Sequence, residues 1–189
     1  MPESERPPST LTVLSDRILV ERAVDGDELA FREIVRRHSG IMRAYVKRIT
    51  GSLADADDIV QDAFVTAWRQ LPTLRDGDAV KAWLMRITSR EALALVRRRS
   101  RETPLEDRDF STPAQTQPEQ VTIHNARLAA LSAALDTLPD DQRRTWLLRE
   151  VAGLSYGDIA EELDLPASTV RGNLARARAS IMIRMEGWR

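Results

Sequence analysis

The sequence has no cysteine and only two histidines, His38 and His124, which lie far apart. Without cysteine the chain can form no disulfide, no thiol redox switch and no thiolate metal site. No carboxylate spacing matches a metal-binding loop, and the sequence contains no phosphate loop, nucleophile elbow or zinc signature. We therefore expect no metal site, no cofactor, no small-molecule substrate and no catalytic activity.

An excess of charge of one sign and long apolar runs are also missing. Lys and Arg together number 28 and Asp and Glu number 29, so the net charge is −1 over 189 residues. The chain has no global basic field, and any nucleic-acid surface must be local. No apolar run is long enough to span a bilayer, and the first residues lack the basic-then-apolar order of a signal peptide. We expect a cytoplasmic protein without membrane insertion.

A polar segment with three prolines, residues 101–120, divides the chain. Apolar periodicity stops there, which predicts a flexible linker. Residues 1–14 are predicted to be a loose tail. The linker separates a predicted helical domain, 15–100, from a second one, 121–189, and neither has strand patterning. The predicted fold class is all-α, with an N-terminal helical bundle and a C-terminal helix-turn-helix domain.

In the first domain, apolar residues recur at helical spacing. The predicted helices cover residues 16–24, 28–49, 55–71 and 78–99. Three long amphipathic helices must bury their apolar stripes against one another, which predicts a compact bundle. Trp68 and Trp83 lie on these stripes and are predicted to be core residues.

The second domain contains LSYGDIAEELDLPASTVRGNLARAR, residues 154–178, which predicts two short helices around a tight turn. Ser155 and Asp158 form a variant of the capping box. Ser168 or Thr169 is expected to cap the second helix. In that helix the residues expected to face inward are Val170, Leu174, Ala177 and Ile181. Those expected to point elsewhere are Arg171, Gly172, Asn173, Arg176 and Arg178.

This pattern fits a helix-turn-helix that places its second helix in the major groove of DNA. It also fits a plain packing unit of helices with a solvated arginine face.

Two charged clusters in the first domain can each be interpreted in two ways. The acidic residues Asp55, Asp57, Asp58 and Asp62 either interact with a helix dipole or form a protein-binding face. The arginines around residues 86–101 form either a solvated helix end or a nucleic-acid surface.

Four motifs occur in a fixed order: DADDIVQDAFVTAW (55–68), KAWLMRIT (81–88), RRRSR (97–101) and a long segment from Leu138 to Ile181. GDELAF (26–31) precedes them. Together they resemble the extracytoplasmic-function sigma factors, group IV of the sigma-70 family. The resemblance covers residues 16 to 185, with both domains and the linker in place.

The resemblance implies an RNA polymerase sigma factor, which binds core polymerase and directs it to promoters. In the family, the middle helix docks on a coiled coil of the largest polymerase subunit. The corresponding residues here are Asp57, Asp58, Gln61 and Asp62. The loop at 73–78 and the basic face of the next helix are expected to melt the −10 element. The residues implied there are Lys81, Arg86, Arg90, Arg97 and Arg98.

The second domain is expected to read the −35 element as duplex DNA. The implied DNA-binding residues are Arg149, Ser155, Ser168, Thr169, Arg171, Gly172, Asn173, Arg176 and Arg178. Arg149 and Ser155 are expected to contact phosphates, and Arg171 is the best candidate for reading guanine. The resemblance also implies a separate anti-sigma factor as partner.

The sequence departs from the family pattern at a few positions. Arg90 and Ala94 replace frequent Asn and Asp residues near the −10 pocket, and Asp164 replaces a frequent glycine at the turn. Gly172-Asn173 replaces a common Ser-Arg pair, so the −35 sequence read by this chain is expected to differ from that of relatives. Two other functions fit the residues alone. One is a dimeric helix-turn-helix repressor or activator with a helical sensing domain, and the other is a helical enzyme or carrier.

Overall fold

The computed structural model describes residues 10–102 and 123–188 of the chain. All regular elements in these ranges are helical, which confirms the predicted all-α class. The α-helices are α1 (Asp16–Val24), α2 (Glu28–Thr50), α3 (Leu53–Gln70), α4 (Val80–Glu102), α5 (Ile123–Asp136), α6 (Asp140–Trp146), α7 (Tyr156–Leu163) and α8 (Ala167–Arg184).

The chain divides into two compact units, Met1–Ala92 and Leu93–Arg189. The predicted domains, 15–100 and 121–189, stay a prediction. Residues 1–9 of the predicted tail and 103–120 of the predicted linker lie outside the described residues.

Local capping explains where the helices of the first unit begin. The side chain of Asp27 accepts hydrogen bonds from the backbone N–H groups at the start of α2, and Ser52 does the same for α3. Since Ser52 is the cap, α3 begins at Leu53, two residues earlier than predicted. Before α4, Asp76 caps a 3₁₀ turn at Gly77–Ala79, and α4 therefore begins at Val80.

The core of the first unit forms where α2 packs against α1 and α3. Its fully buried side chains include Leu19, Ile34, Met42, Tyr45, Val46, Leu84 and Met85. The prediction that Trp68 is a core residue is wrong, because its side chain is 40% exposed. It lies near the end of α3, and its ring packs against the ring of Phe31 with centroids 4.8 Å apart. Trp83 is half-buried.

A polar network fastens the start of the described chain to α2. Nη1 of Arg37 donates to Oδ1 of Asp16 at 2.8 Å, and Nε2 of His38 lies 2.9 Å from Oδ2 of the same carboxylate. Nη2 of Arg37 also donates to the carbonyl oxygens of Leu11 and Thr12. Residues Thr10–Val13 form a 3₁₀ turn held by these bonds, whereas the sequence places them in a loose tail.

In the second unit, α6 continues into a π-helical turn at Leu147–Val151. The predicted capping box of α7 is confirmed, since both of its hydrogen bonds between Ser155 and Asp158 are present. Asp164 ends α7 in the left-handed conformation, with φ 53°. An aspartate is one of the few residues besides glycine that adopt this conformation readily.

Helix α8 begins directly after Pro166, which occupies the N-cap position and makes no side-chain hydrogen bond there. The expectation that Ser168 or Thr169 caps this helix is wrong, because the helix already includes Ala167 and both hydroxyl residues lie inside its first turn. The four residues predicted to face inward, Val170, Leu174, Ala177 and Ile181, are all buried.

Candidate nucleic-acid and protein interfaces

The exposed face of α8 carries hydroxyl and guanidinium groups on its first turns. Ser168, Thr169, Arg171 and Arg176 are exposed, while the buried stripe of the helix faces the rest of the second unit. The tight turn at Asp164–Pro166 and the capped helix α7 lead directly into α8. These hydrogen-bond donors are spread over the solvent-exposed arc of the helix, on both sides of Gly172, and they suit the edges of base pairs in a major groove.

Three other predicted DNA contacts are bonded within the protein. Arg178 donates through Nε and Nη2 to Oε1 of Glu150, at 3.0 and 2.6 Å, and this hydrogen bond raises the pKa of the Arg178 guanidinium. Arg149 donates to the carbonyl of Leu154 at 2.7 Å, with its guanidinium 5.2 Å from the ring centroid of Tyr156. Ser155 is the N-cap of α7, and its hydroxyl donates to Asp158.

Asn173 differs from the other predicted contacts because its side chain is only 6% exposed. Its Oδ1 accepts a hydrogen bond from Nη2 of Arg176 at 2.8 Å. The sequence pattern correctly predicts that the arginines of α8 point away from the core. It wrongly predicts the same for Asn173. In the structure this residue lies on the buried side of α8.

The predicted −10 loop, residues 73–78, lies against α1. Gly77 packs so closely on Arg17 that a Cβ atom added to the glycine would lie 2.9 Å from Cα of Arg17. The loop therefore packs against α1 through Gly77. Its side chains at Thr73, Arg75, Asp76 and Asp78 are exposed. Sequence reasoning assigned no role to α1, since no local pattern links it to a loop so far along the chain.

The basic residues of α4 do not all share one face. Arg86, Arg90 and Arg97 recur at helical spacing, as predicted from the sequence. Lys81 lies five residues before Arg86, which places it about 140° around the helix from that residue. Lys81, Arg90, Arg97 and Arg98 are exposed, and Arg86 is half-buried.

The predicted polymerase-binding residues lie together on α3. Asp57, Asp58, Gln61 and Asp62 are all exposed and occupy one arc of the helix. Asp57 forms an ion pair with Arg43 of α2. The acidic surface is therefore a continuous face of α3, beside the junction with α2.

An open groove of about 970 Å³ runs between α2 and α3, next to this acidic surface. Its apolar lining consists of Phe31, Val35, Val60, Phe64, Val65 and Trp68. Val65 and Trp68 are 45% and 40% exposed, so part of this apolar lining is open to solvent. Sequence reasoning missed this groove. The signal was the spacing of Gln61, Val65 and Trp68, which puts apolar residues on the same face as the acidic ones.

Within residues 10–102 and 123–188, no group of three His, Cys, Asp or Glu side chains is arranged to hold a metal ion. None of the helices in these ranges is both long and apolar enough to cross a membrane.

Two known protein families match this chain, and the matches fall on both compact units. The sigma-70 region 2 family matches residues 34–102, and the sigma-70 region 4 family matches residues 128–181. The chain is 34% identical to the ECF RNA polymerase sigma-E factor of Escherichia coli K12, over 89% of this chain and 93% of that protein. It is also 34% identical to the sigma-E factor of Haemophilus influenzae, over 89% and 94% of the two chains.

Two solved structures have similar folds. The sigma factor RpoE of Bartonella quintana, solved with the anti-sigma factor NepR, superposes with a TM-score of 0.61. It is 27% identical, over 82% of this chain and 96% of that one. CnrH, solved with the cytosolic domain of CnrY, gives a TM-score of 0.56 and 28% identity, over 91% and 97% of the two chains.

Of the three functions that the residues alone left open, these matches support one. The family matches fall on both helical units, and the identity to the sigma-E factors extends over most of the chain. The chain therefore belongs to the extracytoplasmic-function sigma factors and directs promoter-specific transcription by RNA polymerase.

Proposed function

We propose that the two helical domains, 15–100 and 121–189, divide promoter recognition between them. The second reads the −35 element as intact duplex, and the first binds core polymerase and opens the −10 element. The observation that carries this proposal is the exposed row of hydroxyl and guanidinium groups on α8, the second helix of a helix-turn-helix. Sigma factors are initiation factors rather than enzymes, and we infer that this chain has no catalytic activity of its own.

On the −35 element, Arg171 and Arg176 are the candidates for base contacts, because a guanidinium can bind O6 and N7 of guanine together. Ser168 and Thr169 extend the same exposed surface. Gly172 adds no side chain to this surface, so the guanidinium of Arg176 can lie beside the backbone of α8 there. Phosphate contacts from Arg149, Ser155 and Arg178 set the register. Arg149 is held by its hydrogen bond to the carbonyl of Leu154 and Arg178 by its hydrogen bond to Glu150. Ser155 donates its hydroxyl to Asp158 and must release that bond to donate to a phosphate.

On the −10 element, the loop at 73–78 would receive a base flipped from the duplex. Taking a base out of the stack costs a few kcal/mol, which the protein must offset by contacts to that base and to the displaced strand. The basic residues of α4 are suited to the phosphates of that strand. They are Lys81, Arg86, Arg90, Arg97 and Arg98.

Core polymerase would dock on the acidic face of α3, with the α2–α3 groove beside it. The face carries three carboxylates and Gln61, and the groove adds the apolar side chains of Val65 and Trp68. A coiled coil with basic and apolar residues fits such a surface, because charge sets orientation and buried apolar area supplies affinity.

A separate anti-sigma factor is the expected regulator. RpoE of Bartonella quintana was solved with an anti-sigma factor bound, and this chain shares its fold. The exposed apolar groove supports the same inference, since exposed apolar surface of this kind marks interaction sites. We place the protein in the cytoplasm, where polymerase and promoter DNA are found.

Arg171→Ala is expected to weaken −35-dependent initiation roughly 5–150-fold, since a bidentate guanine contact contributes about 1–3 kcal/mol of discrimination. Run-off transcription with core polymerase and a promoter selected from randomised duplexes measures the effect. Arg184→Ala, which removes the same charge from the last turn of α8, is the control and is expected to change little. Unchanged promoter choice in both Arg171→Ala and Arg176→Ala would show that α8 is not the reader.

Asp58→Ala or Gln61→Ala is expected to weaken binding to core polymerase roughly fivefold or more, because central interface contacts carry most of the binding energy. Competition for core polymerase with a labelled wild-type chain measures this affinity. Glu21→Ala removes an exposed carboxylate from α1 of the same unit and is expected to bind normally. Equal loss in Glu21→Ala would mean that net charge, and not the α3 face, governs docking.

The same experiments distinguish the sigma factor from a dimeric repressor. A sigma factor of this design binds little duplex DNA unless polymerase is present, whereas a repressor occupies a palindrome as a dimer. Duplex binding by the chain alone, with twofold symmetry in the protected site, would contradict the proposal.

A further inference from the structure

The side chain of Arg176 is held in one place on the surface of α8. Its Nη2 donates to Oδ1 of Asn173 at 2.8 Å. Its guanidinium lies beside the backbone of Gly172, where an added Cβ atom would be 3.4 Å from Nη1 and 3.6 Å from Nη2. A side chain larger than alanine at position 172 would compete for the space that the guanidinium fills. Gly172 and Asn173 together therefore define the position of Arg176.

Asn173 is chemically unusual for its place in the helix. Its side chain is 6% exposed, and the neighbouring residues of the buried stripe, Val170, Leu174 and Ala177, are apolar. Packing and helix propensity both favour leucine over asparagine at such a position. A buried amide also costs free energy unless its polar atoms find partners. The hydrogen bond from Arg176 gives the amide oxygen such a partner.

We propose that Asn173 is a positioning residue, which fixes the guanidinium of Arg176 for contact with one base pair of the −35 element. A long arginine side chain loses rotamer entropy when it binds, and one that is already held loses less. Arginine has five N–H donors. Asn173 uses one of them, so a bidentate contact with guanine remains available to Arg176. The inference rests on the proposed function of α8 as the −35 reader.

Asn173→Leu is the variant that separates positioning from folding. It keeps a buried side chain of similar size and removes the acceptor of Arg176. Because leucine suits a buried helical position, thermal stability is expected to stay unchanged or to rise. A merely structural role for Asn173 would lower the stability and leave the preference for bases unchanged.

The experiment uses holoenzyme assembled from core polymerase and the full chain. Its probes are duplexes of a promoter selected by the wild-type holoenzyme, with each −35 base pair substituted in turn. Asn173→Leu is expected to lower affinity for the selected promoter roughly 2–10-fold. It should weaken the preference at the same base pair as Arg176→Ala. In an Arg176→Ala background, Asn173→Leu is expected to have no further effect, since residues that act through one contact are not additive.

Additive effects of the two substitutions would overturn the inference, as would an Asn173→Leu holoenzyme with unchanged base preference. If Arg176→Ala weakens the preference and Asn173→Leu does not, the inference fails and the proposed function of α8 stands. If both Arg171→Ala and Arg176→Ala leave every −35 preference untouched, the proposed function fails together with the inference.

Discussion

Gly77→Ala is expected to abolish most promoter opening while leaving polymerase binding intact. A Cβ atom at position 77 would lie 2.9 Å from Cα of Arg17 and 3.3 Å from its carbonyl oxygen. Backbone atoms cannot rotate away as a side chain can, so either the 73–78 loop or α1 must move. Such overpacking costs about 1–3 kcal/mol. If the loop moves, the population of its native position falls roughly 5–150-fold.

The effect of Gly77→Ala is measured by permanganate reactivity of unpaired thymines at the −10 element, with competition for core polymerase as the second readout. Gly40→Ala is the matched control, because nothing lies within 4 Å of a Cβ atom at that position in α2. There the same substitution is expected to stabilise the helix by up to about 1 kcal/mol. Normal promoter opening in Gly77→Ala would mean that the loop does not depend on α1.

Glu33→Gln is expected to destabilise the first unit at pH 7 by about 1.5–3 kcal/mol, the range for hydrogen bonds to a charged group. The Glu33 carboxylate is 7% exposed and accepts hydrogen bonds from Arg36 and Arg37, at 2.7 and 2.9 Å. The hydrogen bond from Arg36, with that from Arg37, lowers the pKa of Glu33 from 4.5 to about 2, against the opposing effect of burial. Glutamine keeps the shape and removes the charge.

The pH dependence of this difference has a definite sign. Because the folded state holds Glu33 ionised more strongly than the unfolded state does, the stabilisation is complete above the unfolded pKa of 4.5. It declines as the pH falls through this range and is almost gone at about pH 2, where the unfolded state is protonated and the folded carboxyl is half protonated. The difference between wild type and Glu33→Gln is therefore expected to shrink steadily between pH 5 and about pH 2.

Hydrogen exchange of the α2 backbone amides measures the stability of the first unit separately from that of the second. Glu21→Gln is the control, since its carboxylate pairs with Arg17 at the surface and is 60% exposed. Exposed pairs of this kind contribute only about 0–1 kcal/mol. A difference for Glu33→Gln that persisted unchanged at pH 2 would show that packing, and not the charge, is responsible.

The α2–α3 groove is a feature that apolar periodicity along one helix does not predict. Trp68 follows the apolar spacing of α3, and this spacing predicts a core residue. In the structure its side chain is 40% exposed. Periodicity identifies which side of a helix is apolar, but the width of the buried strip depends on how closely the next helix approaches. Here the approach of α2 leaves part of the stripe open beside the acidic face.

The sequence alone determined the all-α class, the approximate bounds of the four helices of the first domain and the helix-turn-helix, because these depend on apolar spacing and capping within a few residues. It also determined the family, since motif order is a property of the chain. The tertiary structure decided that Asn173 is buried beneath Arg176, that Gly77 rests on Arg17 and that Glu33 binds two arginines. Those contacts depend on side-chain direction and on distances between packed groups, which spacing along one helix does not specify.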